Sequence, residues 1–244
     1  MLRIISCLDI KNNFVVKGIN FKNLKKINLP FDLCKKYKNN GIDEIVLLDI
    51  TSNYTKKSLS YSSIKKISKI INIPISIGGG IKNILKIKKM FKVGADRIIL
   101  NSICYENITI IKKISNYFGS QSLIIAIDIK KNYKNEKIFT YKNSGYINTN
   151  FFYLDWIIIV KKMGCGEVLI TSINNDGCKL GYDINSLFFI KKKINISIIA
   201  SGGIGSINDI FFLYKYCNIN SFLIASLFHF NFIKPSYFKN IKFL

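Results

Sequence analysis

The chain has 244 residues, and 49% of them are hydrophobic, which is enough for one large core or two small ones. Its 37 Lys and Arg against 14 Asp and Glu give a net charge of +23, but the excess is spread along the chain together with Ile, Asn, Tyr and Phe. This pattern indicates compositional bias rather than a basic patch, so it argues against nucleic-acid binding as the main role. No uncharged apolar run is long enough to cross a membrane, and the N-terminal apolar run, broken by Asp9, is interpreted as a strand rather than a signal peptide.

The cysteines and the histidine carry little sign of chemistry. Six cysteines are scattered along the chain without a C-x-x-C pair, which predicts reduced, mostly buried thiols in a cytoplasmic protein. The single histidine, His229, lies among aromatic residues and is expected to be structural. No cluster of metal-binding residues is visible, and we expect neither a metal nor a cofactor.

Apolar, β-branched runs alternate with Lys-rich segments of helical period. Each run is almost continuously apolar, as expected for a parallel strand that is buried on both faces. The predicted strands comprise residues 3–9, 44–50, 73–78, 97–101, 122–129, 167–172, 196–201 and 221–226. Eight strand–helix units predict a closed (β/α)8 barrel. A doubly wound open sheet is the alternative, but its G-x-G-x-x-G fingerprint after the first strand is missing.

The segments between the predicted strands show helical spacing of their apolar residues. In SSIKKISKII the isoleucines Ile64, Ile67, Ile70 and Ile71 recur with the period of one helix face. This spacing predicts a helix that packs these side chains against the strands.

The two halves of the chain repeat one pattern. CLDIK at 7–11 matches AIDIK at 126–130, and the Gly-Gly-Ile of 79–81 recurs at 202–204. Glycines at a strand end mark places where something approaches the backbone closely, and backbone N–H groups before a helix bind anions. The repeat therefore predicts one phosphate site in each half.

The same repeat predicts the domain organisation. No linker or low-complexity segment separates the halves. We expect a single barrel domain over residues 1–244, built from two similar half-barrels of about 1–120 and 121–244.

Two aspartates are the candidate catalytic residues. In a (β/α)8 barrel the active site lies at the C-terminal ends of the strands, where Asp9 and Asp128 end the first and fifth predicted strands. Two carboxylates can serve as general acid and base if their environments separate their affinities for a proton. Each aspartate could instead only cap the loop that follows, but its recurrence in both halves favours catalysis.

Further strand-end residues are candidates for binding a long substrate with a phosphate at each end. One phosphate site would comprise Gly80, Asn101 and Ser102, and the other would comprise Gly203, Ala225 and Ser226. Additional candidates near the strand ends are Lys17, Asp49, Thr171, Asp176 and Gly177. Lys17 is placed in a loop after the first strand, where it could meet the substrate or simply be solvated.

Charged residues of alternating sign begin four of the predicted strands. These are Arg3, Glu44, Arg97 and Glu167. Strand starts share the face opposite the active site, so these charges are expected at the barrel floor. A salt-bridged plug explains them adequately on their own.

These residues together resemble the cyclase subunit of imidazole glycerol phosphate synthase, a family of histidine biosynthesis. The matching segments include RIISCLDIK, VVKGINFKNL, SIGGGI, GADRIILNS, FGSQSLIIAIDIK, GCGEVLITSINNDGCKLGYD and IIASGGIGS. They cover nearly the whole chain in the family's order. One departure is KNN at 11–13, which replaces an Asp-Gly turn.

The resemblance implies a lyase-type cyclisation without a cofactor. Ammonia would attack a phosphoribulosyl-formimino aminoimidazole carboxamide ribonucleotide, yielding imidazole glycerol phosphate and aminoimidazole carboxamide ribonucleotide. The family's acid/base pair falls on Asp9 and Asp128, and its mobile-loop lysine falls on Lys17. Its phosphate contacts fall on Gly80, Asn101, Ser102, Gly177, Gly203, Ala225 and Ser226.

The resemblance also implies a partner. Family members take ammonia from a glutamine amidotransferase subunit that docks on the N-terminal face of the barrel, forming a heterodimer. Ammonia enters past a gate of charges matching Arg3, Glu44, Arg97 and Glu167, with Arg97 in place of the usual lysine.

Two alternatives remain open at this point. A sister isomerase of the same pathway shares the barrel, the two aspartate strands and the bis-phosphate substrate but needs no ammonia. VVKGINF after the first strand and FGSQ before the fifth favour the cyclase. A barrel that has lost catalysis and only binds a partner is disfavoured, because the strand-end residues are all present.

Overall fold

The computed structural model describes residues 2–19, 22–50, 59–132 and 136–240. Its strands are β1 (Arg3–Lys11), β2 (Phe14–Ile19), β3 (Lys22–Asn28), β4 (Glu44–Asp49), β5 (Ile75–Gly78), β6 (Arg97–Leu100), β7 (Leu123–Lys131), β8 (Ile138–Lys142), β9 (Ile147–Phe152), β10 (Glu167–Ser172), β11 (Ser197–Ser201) and β12 (Ser221–Ile224). The helices are α1 (Pro30–Asn39), α2 (Tyr61–Ser68), α3 (Ile84–Lys92), α4 (Ser102–Glu106), α5 (Thr109–Phe118), α6 (Tyr153–Lys162), α7 (Ile184–Lys193), α8 (Ile207–Cys217) and α9 (Ser226–His229).

The strand order confirms the predicted fold class. Hydrogen bonds connect the strands in the order β10, β11, β12, β1, β4, β5, β6 and β7, and β7 pairs in turn with β10. This is the closed order of a (β/α)8 barrel, with a helix between successive strands of the ring. All eight predicted strands are present, with ends that differ from the prediction by up to two residues.

Contacts divide the chain into two compact units. The first comprises Met1–Gly18, Lys22–Ile99 and Leu223–Leu244, and the second comprises Ile19–Phe21 and Leu100–Phe222. The two unit boundaries within the ring thus fall inside β6 and β12. The single domain with half-barrels of about 1–120 and 121–244 stays a prediction.

The core of the first unit comes from the apolar runs of β1, β4 and β5. Ile45, Val46 and Leu47 are fully buried in β4, as expected for a strand covered on both faces. Helix α2 packs Ile64 and Ile67 inward, and the Ser60 side chain caps it by accepting the N–H of Ser63.

One part of the helix prediction is wrong. Helix α2 ends at Ser68, so Ile70 lies beyond it and is 37% exposed, although Ile71 is buried. The backbone leaves the helix before the fourth isoleucine of the pattern, and the apolar spacing alone cannot detect that end.

The second unit is built in the same way around β7, β10 and β11. Every residue of β10 is buried, and helices α6 and α7 contribute Trp156, Ile157, Leu187 and Ile190 to the core. In the part of the chain that the structure describes, no helix is long and apolar enough to span a bilayer.

Two antiparallel extensions were not predicted from the sequence. Strands β1 and β7 continue past their aspartates, and each pairs with a returning strand, β2 and β8 respectively. The β1–β2 turn uses Asn12 and Asn13 with φ of 50° and 65°, the left-handed conformation that a two-residue type I′ turn needs. The asparagines that replace the family's Asp-Gly therefore still form a tight turn, because Asn tolerates positive φ.

Candidate active site

Asp9 lies where β1 pairs with a neighbour on each side. It stands opposite Leu48 of β4 and opposite Val16 of β2. Lys17 follows Val16, and its Nζ lies 3.7 Å from Asp9 Oδ2. The Cys7 thiol donates to Asp9 Oδ1 at 3.6 Å. The structure thus brings the predicted catalytic Asp9 and the predicted substrate lysine into one ion pair.

Lys17 is not in a loop. It lies in β2 and is only 6% exposed, so the alternative of a solvated lysine is wrong. A lysine so deeply buried is rare unless an anion lies nearby, and Asp9 provides that anion. Residues 20 and 21 of the segment VVKGINFKNL, which is predicted as a loop after the first strand, lie outside the described residues.

Asp128 is the equivalent carboxylate of the second unit. It is 8% exposed and stands opposite Thr171 of β10 and Tyr141 of β8. The side-chain amide of Asn101 donates to Asp128 Oδ2 at 3.0 Å. The structure thereby joins three predicted site residues, Asp128, Asn101 and Thr171, on neighbouring positions of one unit.

Asn101 and Ser102 lie where β6 passes into α4. Asn101 Oδ1 is buried and accepts no hydrogen bond from the described residues, so an acceptor is left for a ligand. Ser102 Oγ accepts the backbone N–H of Asn143 at 3.0 Å, which ties this turn to the β8–β9 hairpin. Its hydroxyl hydrogen can still be donated to a phosphate.

The glycine turn of the first unit follows β5. Gly79 and Gly80 have φ of 94° and 54°, and a Cβ on Gly79 would lie 2.0 Å from the carbonyl oxygen of Asp49. Only glycine therefore fits at position 79. Asp49 itself is 6% exposed, and its Oδ2 accepts the N–H of Leu59 at 2.7 Å.

The glycine turn of the second unit is packed about as closely. A Cβ on Gly203 would lie 2.1 Å from the carbonyl oxygen of Gly181, whose own N–H donates to the Gly203 carbonyl at 2.8 Å. This contact packs the loop after β10 against the turn. The loop carries the predicted residues Asp176, which is buried, and Gly177, with φ of 75°.

Ala225 and Ser226 lie at the start of α9, in the first unit. Ala225 is buried and directly precedes the helix. His229 ends the same helix at 6% exposure, and its Nδ1 lies 2.6 Å from the hydroxyl oxygen of Tyr37. Burial, followed by the nearby charge of Lys17, lowers the pKa of His229 to about 4, so this ring is neutral at physiological pH.

Three of the four charged residues that begin strands, Arg3, Glu44 and Arg97, lie together. Glu44 is 1% exposed, and its Oε2 lies 3.9 Å from Arg3 Nε and 3.8 Å from Arg97 Nη1. The Ser76 hydroxyl, which sequence reasoning missed, donates to Glu44 Oε1. Glu167 begins β10 in the second unit, where it is buried.

Lys86 is the other residue that the sequence did not single out. It lies in the first turn of α3, and its Nζ donates to the carbonyl oxygen of Gly80 at 2.8 Å. With 37 Lys and Arg in the chain, its position in the sequence carries no signal. Its distance of six residues from a strand-end glycine is the sole clue.

All six cysteines are free thiols, and five of them are buried. Burial raises the pKa of Cys34 to about 12 and that of Cys165 to about 12. These buried thiols are therefore poor nucleophiles. Within the described residues, no group of three or more His, Cys, Asp or Glu side chains could hold a metal ion.

The closed strand order and the polar residues at its strand ends are those of the (β/α)8 enzyme class. The chain belongs to the histidine biosynthesis protein family, whose model matches residues 3–234. This match confirms the resemblance that the sequence motifs indicated.

Three relatives show how close the similarity is. The chain is 40% identical over 228 residues to the imidazole glycerol phosphate synthase subunit HisF of Lactococcus lactis subsp. cremoris (strain SK11), covering 93% of this chain and 88% of that protein. It is 38% identical over 228 residues to HisF of Petrotoga mobilis, with 93% and 90% covered. It is 39% identical over 238 residues to HisF of Natranaerobius thermophilus, with 98% and 94% covered.

Proposed function

We propose that this chain is the cyclase subunit of imidazole glycerol phosphate synthase and uses ammonia to close the imidazole ring in histidine biosynthesis. The observation that carries the proposal is the ion pair between Asp9, within the segment RIISCLDIK, and the buried Lys17 of β2. The identity of 38–40% to proteins named as this subunit, over nearly the whole chain, supports it.

The proposed reaction needs both a base and an acid. Ammonia loses protons as it forms new C–N bonds, the ketone oxygen of the ribulosyl group must be protonated to leave as water, and the departing aminoimidazole carboxamide nitrogen must gain a proton. A carboxylate takes or gives such a proton when it is held within hydrogen-bonding reach of the reacting group. We assign these two roles to Asp9 and Asp128.

The phosphates of the substrate are assigned to the turns that follow the strands. Gly80, Asn101 and Ser102 contact one phosphate. Residues assigned to the other phosphate are Gly177, Gly203, Ala225 and Ser226. Asp49, Thr171 and Asp176 are assigned to the middle of the substrate, since all three are buried polar residues at or just after strand ends.

The test is product formation from the bis-phosphate substrate with ammonium salt at alkaline pH, where free ammonia is present. We expect imidazole glycerol phosphate to form with ammonium salt and not with glutamine alone. A conversion of a bis-phosphate substrate that needs no ammonia would indicate the sister isomerase instead. No turnover under either condition would contradict an enzymatic role.

A glutamine amidotransferase is the proposed partner, since the relatives are named as subunits of a synthase. We place its docking site at the N-terminal strand ends, where Arg3, Glu44 and Arg97 cluster with Ser76. Parallel neighbours begin at the same edge of a sheet, so these groups share one face of the first unit. With Glu167 they form the proposed ammonia gate, and the proposed heterodimer is cytoplasmic.

Arg97→Met tests the gate. Removing the guanidinium leaves the buried Glu44 with weaker compensation, which should change passage of ammonia but leave the active site intact. We expect the coupling of glutamine hydrolysis to cyclisation to fall several-fold, while turnover with ammonium salt stays within about twofold. Lys89→Met, on the exposed side of α3, serves as a charge-matched control. Equal losses in both assays would reduce the cluster to a structural plug.

A further inference from the structure

We propose that Lys86 is a substrate-binding residue that contacts the phosphate group held at the Gly79–Gly80 turn. The inference rests on the proposed function, because it assigns a further residue to the same site. Three observations in the first unit carry it: the place of the amine, the surroundings of its charge and the way the side chain is held.

The amine of Lys86 lies beside the turn. Its Nζ donates to the Gly80 carbonyl oxygen at 2.8 Å. Within one residue the amide nitrogen and the carbonyl oxygen are at most about 4 Å apart, so Nζ lies no more than about 7 Å from the Gly80 N–H. A phosphate group with hydrogen bonds from two oxygens spans roughly that distance. One anion can therefore accept from both groups.

The ammonium keeps donors for such an anion. A protonated lysine has three N–H donors and no acceptor, and the Gly80 carbonyl uses one of them. The amine can bind a phosphate without giving up its contact with the turn. Charge-assisted hydrogen bonds of this kind are roughly twice as strong as neutral ones.

The charge of Lys86 is only partly compensated by its surroundings. Partial burial lowers the pKa of Lys86, and the neighbouring Lys82 lowers it further, although Asp49 opposes both. The first turn of α3 contains no acidic residue, and a cation is disfavoured there by the helix dipole. A bound phosphate would stabilise the ammonium of Lys86 electrostatically, and the ammonium would stabilise the charge of the phosphate.

The side chain is also held in place before any ligand binds. The Asn83 side chain accepts the backbone N–H of Lys86 at 2.9 Å and so caps α3. The backbone of Lys86 is fixed at one end and its amine at the other. A pre-positioned donor loses little rotamer freedom on binding, which favours affinity.

Lys86→Met tests the proposal, with Lys86→Arg as the conservative variant and Lys89→Met as the matched control on α3. If the contact binds ground state and transition state equally, Lys86→Met should raise KM for the bis-phosphate substrate roughly 10- to 100-fold and leave kcat unchanged. Lys86→Arg should restore most of the affinity, and Lys89→Met should match the parent protein. An unchanged KM in Lys86→Met would overturn the proposal.

A second measurement does not depend on turnover. In a protein labelled at lysine 13Cε, the Lys86 signal is assigned by its loss in Lys86→Arg, and its pKa is followed with inorganic phosphate. We expect phosphate to raise the pKa of the Lys86 amine and to leave that of Lys89 unchanged. If wild-type protein shows this shift but no cyclisation, the proposed function fails and the phosphate site stands. If phosphate leaves Lys86 unmoved while Lys86→Met lowers Tm, the lysine only clamps the turn.

Discussion

Asp9 in the first unit and Asp128 in the second occupy equivalent places, yet their partners differ in kind. Each lies on a nine-residue strand that continues into an antiparallel hairpin. Asp9 faces the ammonium of Lys17 at 3.7 Å, whereas Asp128 accepts a neutral amide N–H from Asn101 at 3.0 Å. The backbone pattern is repeated, whereas these two contacts differ in charge.

Such a difference fits the acid and base roles that we propose for the two carboxylates. A nearby cation stabilises a carboxylate anion more strongly than a neutral amide does, and more so in a water-poor site. Two carboxyl groups in equal environments have similar pKa values and so tend to be in the same protonation state. Unlike partners separate the pKa values, so that one group can hold a proton while the other stays ionised. Under the proposed mechanism, the duplicated strand provides the geometry, and the contacts with Lys17 and Asn101 are one way in which the two carboxylates differ.

The largest expected effect comes from removing either carboxylate. Asp9→Asn and Asp128→Asn keep the side-chain size but abolish proton transfer, so each should lower kcat with ammonia by roughly 10²- to 10⁴-fold. KM should change little, because other residues are proposed to hold the phosphates. We expect Asp9→Asn to be the more damaging, since its charge is matched to a buried cation. Near-normal kcat in both variants would make the aspartates loop caps.

Stability separates the same two variants. Asp9→Asn removes the negative charge beside the buried Lys17, which should lower Tm. In Asp128→Asn the new amide oxygen can still accept from Asn101, so Tm should fall less than in Asp9→Asn. The double variant Asp9→Asn/Lys17→Met should regain Tm without regaining activity. Equal losses of Tm in the two single variants would show that Lys17 and Asn101 stabilise their carboxylates to the same extent.

The eight barrel strands could be predicted because burial on both faces leaves an almost unbroken apolar run. The hairpin strands could not. In β9, Asn148 and Asn150 alternate with Thr149 and Phe151, and most of the strand is exposed. Such a strand is held by its ladder to β8 and not by an apolar face, so periodicity carries no signal. Hydrophobic periodicity also gives no signal for the turn at Asn12 and Asn13, because that turn depends on the left-handed backbone of the two residues.

The candidate site divides in a similar way. Asp9, Asp128 and the glycine turns are visible in sequence because the two halves repeat them. Lys17 and Asn101 are also candidates from the sequence, but their contacts with Asp9 and Asp128, like the position of Lys86, depend on which strands and turns become neighbours. Asn101 and Asp128 are 27 positions apart and meet through their side chains. Nothing local in either segment encodes that contact.

A smaller effect on stability should appear when the pH is lowered, and it should originate in the first unit, which contains His229. The folded state lowers the pKa of His229 from 6.5 to about 4, mainly by burial. Below pH 6.5 the unfolded chain binds a proton that the folded chain refuses, so the free energy of unfolding falls as the pH drops from 6.5 towards 4. The full loss is about 3 kcal/mol. Above pH 6.5 this contribution is complete and constant.

Urea unfolding of the wild-type protein and of His229→Gln is measured across this pH range. The difference between the two gives the contribution of the histidine separately from that of the carboxylates. The glutamine can still accept from the Tyr37 hydroxyl but does not titrate, so its pH dependence should be flatter. Hydrogen exchange at pH 5 should show earlier loss of protection in α1 and β1 than in α6 and β10. If protection is lost to the same extent in both units, the effect of His229 is not confined to the first unit, and the chain unfolds cooperatively as a whole.

The smallest expected effect lies in the hairpin turns. Asn13 in the first unit and Ser144 in the second have φ of 65° and 56°. A left-handed backbone costs an ordinary L-residue roughly 1–2 kcal/mol, but asparagine pays little of it. Glycine removes that cost and adds about 0.5–1 kcal/mol of unfolded-state entropy.

Ser144→Gly should therefore stabilise the chain by about 0.5–1 kcal/mol, and Asn13→Gly should leave it almost unchanged. Urea midpoints of the two variants, with Ser144→Ala as a control that keeps a Cβ, provide the measurement. Unchanged stability in Ser144→Ala would confirm that only the left-handed backbone matters there, whereas a loss would show that the serine side chain contributes. A larger gain from Asn13→Gly than from Ser144→Gly would mean that the first hairpin is the strained one, and that the asparagines replacing the family's Asp-Gly weaken the strand that carries Lys17.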